Sequence, residues 1–309
     1  MANRPIMIAV GGDSGTGKTT LCRGLDRIFG ADRIETICLD DYHALDRVQR
    51  KAVNLTALDP RANNFAAMEE DLWALREGRG VDKPIYDHSD GTFKGPEHVE
   101  PKEIVVVQGL FPLYTRALRS LFDVRVWLDP EPEIKIAWKI QRDTLQRGYD
   151  IAEVRAEMDR RKPDVEAHIK PQSRYADLTV SFYRPENWFD HEDPSKLSAK
   201  IRKGGRFQAL DYSEFASTST SLNQMEITAE GGFPETLIEL GGNIDPEIAF
   251  KIEDRIWSNM DSHAHLRPDR LGEFRDAHGN TKVSHSLSLA QLLIARRVVL
   301  VENELMEAV

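Results

Sequence analysis

Residues 12–19 read G-D-S-G-T-G-K-T. They fit G-x-x-x-x-G-K-[ST] at every fixed position, which constrains the fold more than any other stretch of the chain. Such a loop works between a buried strand and a helix. Its glycines let successive backbone N–H groups turn inward onto phosphate oxygens, and the following helix aims its positive end at the same anion. Both neighbours are present: Ile6–Val10 is a continuous apolar run, and Lys18–Phe29 carries a helical pattern. The motif therefore predicts an ATP site. The backbone of Gly12, Asp13, Ser14, Gly15, Thr16 and Gly17 cradles phosphate, with Thr20 just behind. Lys18 reaches the β- and γ-phosphates, and the Thr19 hydroxyl ligates Mg2+.

The rest of the first 183 residues repeats the alternation. Residues 34–39, 104–107, 124–128 and 178–182 read as strands whose unbroken apolar character suits burial on both faces of a parallel sheet. Helical patterns fall at 65–76, 113–121, 133–146 and 151–161. The expected fold class is α/β: a P-loop NTPase core of the nucleoside/nucleotide-kinase kind, with a mainly parallel sheet over residues 1–183. Residues 184–309 read as a C-terminal α+β extension packed on that core. It holds strand candidates at 207–210, 225–228 and 236–240, and helices at 246–257 and 287–300.

Composition narrows the class. Lys and Arg number 41 against 51 Asp and Glu, a net charge of −10, so general nucleic-acid binding is not expected. Two cysteines, Cys22 and Cys38, do not make a disulfide scaffold. With no apolar run long enough for a membrane span and no leader pattern at the start, a cytoplasmic protein without membrane partners is expected.

Two further runs carry chemistry. L-D-D-Y-H-A-L-D-R at 39–47 follows a strand, at the edge where α/β enzymes bind ligands. Asp40 or Asp41 can take a proton from an attacking hydroxyl, while a helix-capping Asp is the plain alternative. His43 and Arg47, four apart, are expected on one helical face. K-I-Q-R-D-T-L-Q-R-G at 139–148 brings Lys139, Arg142, Asp143 and Arg147 onto adjacent turns. That is either a solvated charged face or a cationic helix for a transferring phosphoryl group. H-A-H at 263–265 is read as polar surface rather than a metal site.

The stretches G-D-S-G-T-G-K-T-T, I-C-L-D-D-Y-H-A-L-D-R, T-A-L-D-P-R-A-N-N-F, K-P-I-Y-D-H and I-K-I-A-W-K-I-Q-R-D-T-L-Q-R-G-Y resemble the phosphoribulokinases of plants and cyanobacteria, with uridine kinases as wider relatives. The resemblance covers about residues 5–183. It implies phosphorylation of the sugar phosphate D-ribulose 5-phosphate, giving the substrate of the carbon-fixing carboxylase. Asp40 would be the base and would also contact Mg2+. Lys18, Lys139, Arg142 and Asp143 would serve the transfer, and Arg147 the nucleotide. His43, Arg47, Arg61, Tyr86, His88 and Arg142 would hold the sugar phosphate. Relatives imply a homodimer.

Three departures stand out. Gln108 and Phe111 occupy positions where related sequences have Glu and His in V-V-E-G-L-H-P. Thr16 stands where light-regulated members have cysteine, so no regulatory disulfide with Cys38 is expected. The tail cysteines of those members are missing too. A nucleoside kinase remains an alternative reading, though the segment after Tyr86-Asp87-His88 fits it less well. So does a nucleotide-binding regulator that has lost catalysis, which Gln108 favours and the intact Lys18, Thr19, Asp40 and Lys139–Arg147 set opposes.

Overall fold

The computed structural model describes residues 4–185, 188, 193–204, 222–228, 234–260 and 270–307. The strand candidate at 207–210 and the histidines at 263 and 265 lie outside them. The chain divides into two compact units that interleave along the sequence. One comprises 1–18, 32–125 and 136–175; the other comprises 19–31, 126–135 and 176–309.

In the first unit, strands β1 (Ile6–Gly11) and β2 (Ile34–Cys38) flank β5 (Ile104–Gly109), all parallel. Ile6 and Ile34 both stand opposite Ile104, and Val10 and Cys38 opposite Gln108. The three carboxyl ends therefore finish level. Met7, Ile8, Ala9 and Val10 of β1 and the four residues 104–107 of β5 are fully buried, as unbroken apolar strands require. Helix α3 (Phe65–Arg76) has the predicted bounds, while α1 (Lys18–Phe29), which begins at the end of the phosphate loop, belongs from residue 19 onward to the second unit. Asn64 caps α3, its side chain accepting from Ala67 N.

Three elements escaped the periodicity. Helix α2 (Arg47–Ala52) carries a full capping box from Asp46 and Gln49. Strands β3 (Val81–Asp87) and β4 (Thr92–Val99) form a hairpin whose register shifts between Lys83 and Ile85, at Pro84. A proline at a shifted register and an almost wholly exposed β4 leave no alternation to read. Helix α4 (Arg116–Leu121) starts three residues later than expected because Thr115 caps it. Helices α5 (Pro132–Arg147) and α6 (Ile151–Asp164) match their patterns within three residues.

In the second unit, β6 (Val124–Leu128) pairs parallel with β7 (Leu178–Tyr183). Antiparallel pairing then runs through β8 (Ser198–Lys203), β10 (Pro234–Leu240) and β9 (Leu222–Thr228). Helix α7 (Pro246–Ser258), hairpin β11 (Glu273–Arg275)–β12 (Thr281–Val283) and the long α8 (His285–Glu307) complete the expected α+β character of the tail. Among the described residues, no helix is long and apolar enough to cross a membrane.

Helix α8 is joined to α1 by Gln291. Its side chain is fully buried, accepts from Gly272 N at 3.0 Å and donates to Thr20 O at 3.3 Å. Gly24 makes the room: a Cβ there would meet the Gln291 amide at 2.0 Å. Gly24→Ala is expected to lower stability by about 1–3 kcal/mol in urea unfolding. Combining it with Gln291→Ala should cost less than the sum of the single changes. Additive losses would show that the two residues do not share that space.

Candidate active site

The phosphate loop leaves β1 at Gly11 and enters α1 at Lys18. Gly12, Gly15 and Gly17 take φ of 148°, 86° and 92°, conformations open to glycine, so the sequence spacing dictates the curl. Thr16 is buried and donates to Asp13 O at 2.9 Å, closing the turn. Asp13 accepts from Ser14 N at 2.6 Å. Lys18 Nζ donates to Gly12 O and Asp13 O, each at 2.8 Å. Burial pushes its pKa down; Asp40 and Asp13 oppose this, and Arg142 adds to it. Thr19 and Thr20 lie in the first turn of α1.

The level strand ends bring the next group in. A short 3₁₀ turn at Leu39–Asp41 follows β2 directly. Gly109, at the end of β5, lies against it: a Cβ there would be 2.8 Å from Leu39 Cβ and 3.4 Å from Asp40 Oδ1. Leu110 N donates to Asp40 Oδ1 at 3.3 Å. The two adjacent carboxylates thus divide their work. Asp41 is buried, takes Lys83 Nζ at 2.9 Å and Tyr86 N at 3.0 Å, and ties the β3–β4 hairpin to the turn. Asp40 lines the cleft. Neither caps a helix through its side chain: the 3₁₀ turn is preceded by Cys38 with no side-chain cap, and the capping Asp of this segment is Asp46.

Helix α5 supplies the cations. Asp143, 3% exposed, accepts from Lys139 Nζ at 2.7 Å and Arg142 Nε at 2.9 Å, with Arg147 at 3.3 Å. Burial alone would raise its pKa; the Lys139 bond and the neighbouring cations outweigh that and hold it below the usual carboxylate range. Burial brings Lys139 down to about 8, against the pull of Asp143. Arg142 also donates to Ser14 Oγ at 3.0 Å, which fastens α5 to the phosphate loop. The run at 139–147 is therefore an organised cluster, not a solvated face.

Opposite lie the hairpin and α2. His43 precedes α2 and does not share its face with Arg47, correcting the helical expectation. Burial, then Arg50, push His43 down to about 4, and burial also lowers His88. Tyr86 meets His43 edge-on at 4.7 Å and His88 at 5.1 Å. Arg47 donates to His88 O at 2.6 Å. Together with α6 these residues enclose a cleft of about 320 Å3, lined also by Ser14, Asp40, Lys139, Arg142, Asp143 and Arg147. Arg61 does not line it: its largely exposed guanidinium pairs with Asp59 at 2.6 Å.

Sequence reasoning missed Arg50, Lys51, Glu153, Glu157, Arg160 and Arg161, all on the cleft wall. Glu153, Glu157 and Arg160 or Arg161 recur at helical spacing within a recognised helix, so a face-by-face charge map would have found them. Buried Arg50 donates to the Tyr86 hydroxyl at 2.6 Å.

The departures have structural readings. Phe111 is fully buried edge-on to Phe65 at 5.4 Å and to Tyr114 at 5.3 Å, an aromatic cluster rather than a polar site. Cys22 and Cys38 are free thiols. Burial, then Asp40 and Asp41, push the Cys38 pKa up, so its thiol stays protonated and unreactive. Gln108 ends β5, beside Val10 and Cys38.

Comparison with known proteins agrees with this geometry. The model of the Phosphoribulokinase / Uridine kinase family matches residues 7–187. A phosphoribulokinase of Synechocystis sp. is 49% identical over 207 residues, covering 66% of this chain and 62% of that protein. A chloroplastic phosphoribulokinase of Spinacia oleracea is 40% identical over 218 residues, covering 65% of this chain and 54% of its own length. The chain thus spans between half and two thirds of the length of these relatives. A uridine kinase of Limosilactobacillus reuteri is 32% identical over 206 residues, covering 64% of this chain and 91% of the kinase. Among solved structures, a phosphoribulokinase from Rhodobacter spheroides shares the fold, with a TM-score of 0.57 and 18% identity over 85% of this chain and 98% of that one. The phosphate loop, the Asp40 turn and the α5 cations all fall within the matched residues, and the chain belongs to the phosphoribulokinase/uridine kinase family.

Proposed function

We propose that this chain transfers the γ-phosphate of ATP to a hydroxyl of D-ribulose 5-phosphate, forming ribulose 1,5-bisphosphate. The observation that carries this reading is the shared cleft. Asp40 lines the same space as Ser14 of the phosphate loop and the Lys139–Arg142–Asp143–Arg147 cluster. Asp40 accepts the proton of the attacking hydroxyl. Lys18 exchanges its loop carbonyls for phosphate oxygens, and Lys139 and Arg142 offset the charge that spreads over the transferring group. Glycines at positive φ, followed by Lys18 at the helix start, fit a triphosphate. Mg2+ bound with the nucleotide would neutralise phosphate charge. Hard oxygen donors suit it, and within the first unit Asp40 would hold it, with Gln108 adding a neutral carbonyl.

The charge of the cleft favours an acceptor that is itself anionic. Arg47, Arg50, Lys51, Lys139, Arg142, Arg147, Arg160 and Arg161 face only Asp40, Asp143, Glu153 and Glu157. With Lys139, Arg142 and Arg147 given to the nucleotide's phosphates and Asp143, the cations Arg47, Arg50, Lys51, Arg160 and Arg161 still outnumber Glu153 and Glu157, and an uncharged nucleoside would leave that excess without a partner. The relatives named phosphoribulokinase point the same way. The low cysteine content supports a cytoplasmic enzyme, and resemblance to the family supports a homodimer.

Three measurements test this reading. ADP release from Mg-ATP should depend on ribulose 5-phosphate and not on uridine, and Asp40→Asn should lower kcat by about 10²–10⁴-fold. Release without an acceptor, or with uridine alone, would redirect the assignment. Gln108→Glu should lower the Mg2+ concentration needed for half-maximal rate while preserving or raising turnover. A large loss would mean that the pocket is built around a neutral side chain. Lys139 acts as a cation and loses its proton as pH rises through about 8. The rate should therefore fall on that alkaline limb, and Lys139→Arg should move the limb to higher pH. An unchanged limb would remove Lys139 from the reaction.

A further inference from the structure

The segments Tyr42–Ala44 and Ala62–Asn64 cross as a short antiparallel pair. Ala44 N donates to Ala62 O at 2.8 Å, and Asn64 N donates to Tyr42 O at 2.8 Å. That clamp sets His43 opposite Asn63. Both are buried, at 6% and 8% exposure. Asn63 Nδ2 donates to Ala57 O at 3.1 Å and to Asp59 O at 2.9 Å, using both its hydrogens. Turning the amide over would press its oxygen against two carbonyls and lose both of these donations. Its oxygen therefore faces His43 Nδ1, at 2.9 Å. An amide oxygen only accepts, so Nδ1 carries the hydrogen.

We propose that Asn63 is a positioning residue that fixes His43 as the Nδ1–H tautomer, leaving Nε2 as a hydrogen-bond acceptor for a hydroxyl of the acceptor substrate. The ring lines the cleft with Asp40, and Nε2 has no partner among the described residues. Around the ring stand Arg50, Asp40 and His88, with Tyr86 edge-on at 4.7 Å. Burial and Arg50 keep the imidazole neutral at physiological pH. A bare ring nitrogen repels phosphate oxygen and attracts an O–H. His43 therefore reads the sugar's hydroxyls and not its phosphate, which falls to the cationic side chains. The hydroxyl-recognition half rests on the sugar-phosphate kinase reading; the tautomer does not.

The test uses the full-length chain labelled with 15N. Long-range 1H–15N spectra resolve the histidine ring nitrogens, with His43 assigned by its loss in His43→Gln. A protonated Nδ1 and bare Nε2 between pH 6 and 8 are expected. A hydrogen on Nε2, or an imidazolium, would overturn the proposal. Asn63→Asp puts a carboxylate beside Nδ1, which should draw a second proton onto the ring. Asn63→Ala removes the acceptor and releases the tautomer. Both should raise KM for ribulose 5-phosphate about tenfold, with KM for ATP unchanged. Variants that only melt earlier, with KM untouched, would make Asn63 a structural residue and sink the proposal. The expected tautomer without turnover on ribulose 5-phosphate would end the substrate reading and leave the tautomer supported.

Discussion

The parallel register of β1, β5 and β2 is the constraint on which the site depends. Ile6 and Ile34 share Ile104 as partner, and Val10 and Cys38 share Gln108. Because the pairing is parallel, all three strands deliver their carboxyl ends to one edge. The phosphate loop, the Asp40 turn and Gly109 are consequences of that edge. A slip of one residue in either pairing would turn buried side chains to the opposite face and move Asp40 off the Leu110 amide. The unbroken burial of β1 and β5 makes such a slip costly, so core packing holds the chemistry in place.

A second constraint is electrostatic. Asp143 is among the most buried charges in its unit, and three cations surround it. Stripping a carboxylate of water costs several kcal/mol, which one ion pair seldom recovers. Three cations recover it and leave positive charge over. Arg142 spends part of that surplus on Ser14, so the cluster is preorganised on the phosphate loop. Anions entering the cleft meet donors that are already ordered, which is where electrostatic stabilisation of a transition state is most effective.

The fold was legible where burial is continuous or helical. The strands at 34–38, 104–109 and 178–183 and the helices at 18–29 and 65–76 each bury a face whose period the sequence shows. The β3–β4 hairpin was not legible. It is held by Asp41 accepting from Lys83 and Tyr86, contacts forty-two and forty-five residues apart in sequence that leave no local pattern. The same limit applies within the site. The phosphate loop is local and its shape follows from its spacing; the α5 run is local too, but its spacing alone left a solvated face as open as a cationic helix. The different fates of Asp40 and Asp41, and the pairing of Arg61 with Asp59, depend on what the fold brings alongside.

That difference between neighbouring carboxylates bears on what the departures from related sequences mean. Replacing Glu by Gln108 removes a charge at the end of β5, and replacing His by Phe111 adds an aromatic ring to a packed cluster. Both positions flank Gly109 and Leu110, the two residues against which Asp40 is placed. Its turn is held by Leu110 N and by the close approach at Gly109. The hairpin is held through Asp41, and Asn63 holds His43. A site drifting without selection for geometry would not keep three separate supports, each with buried polar atoms satisfied, around one half-buried carboxylate. On the proposed reading these supports hold Asp40 in place as the base, and the charge lost at Gln108 bears on the grip of a metal-bound phosphate rather than on where the proton goes.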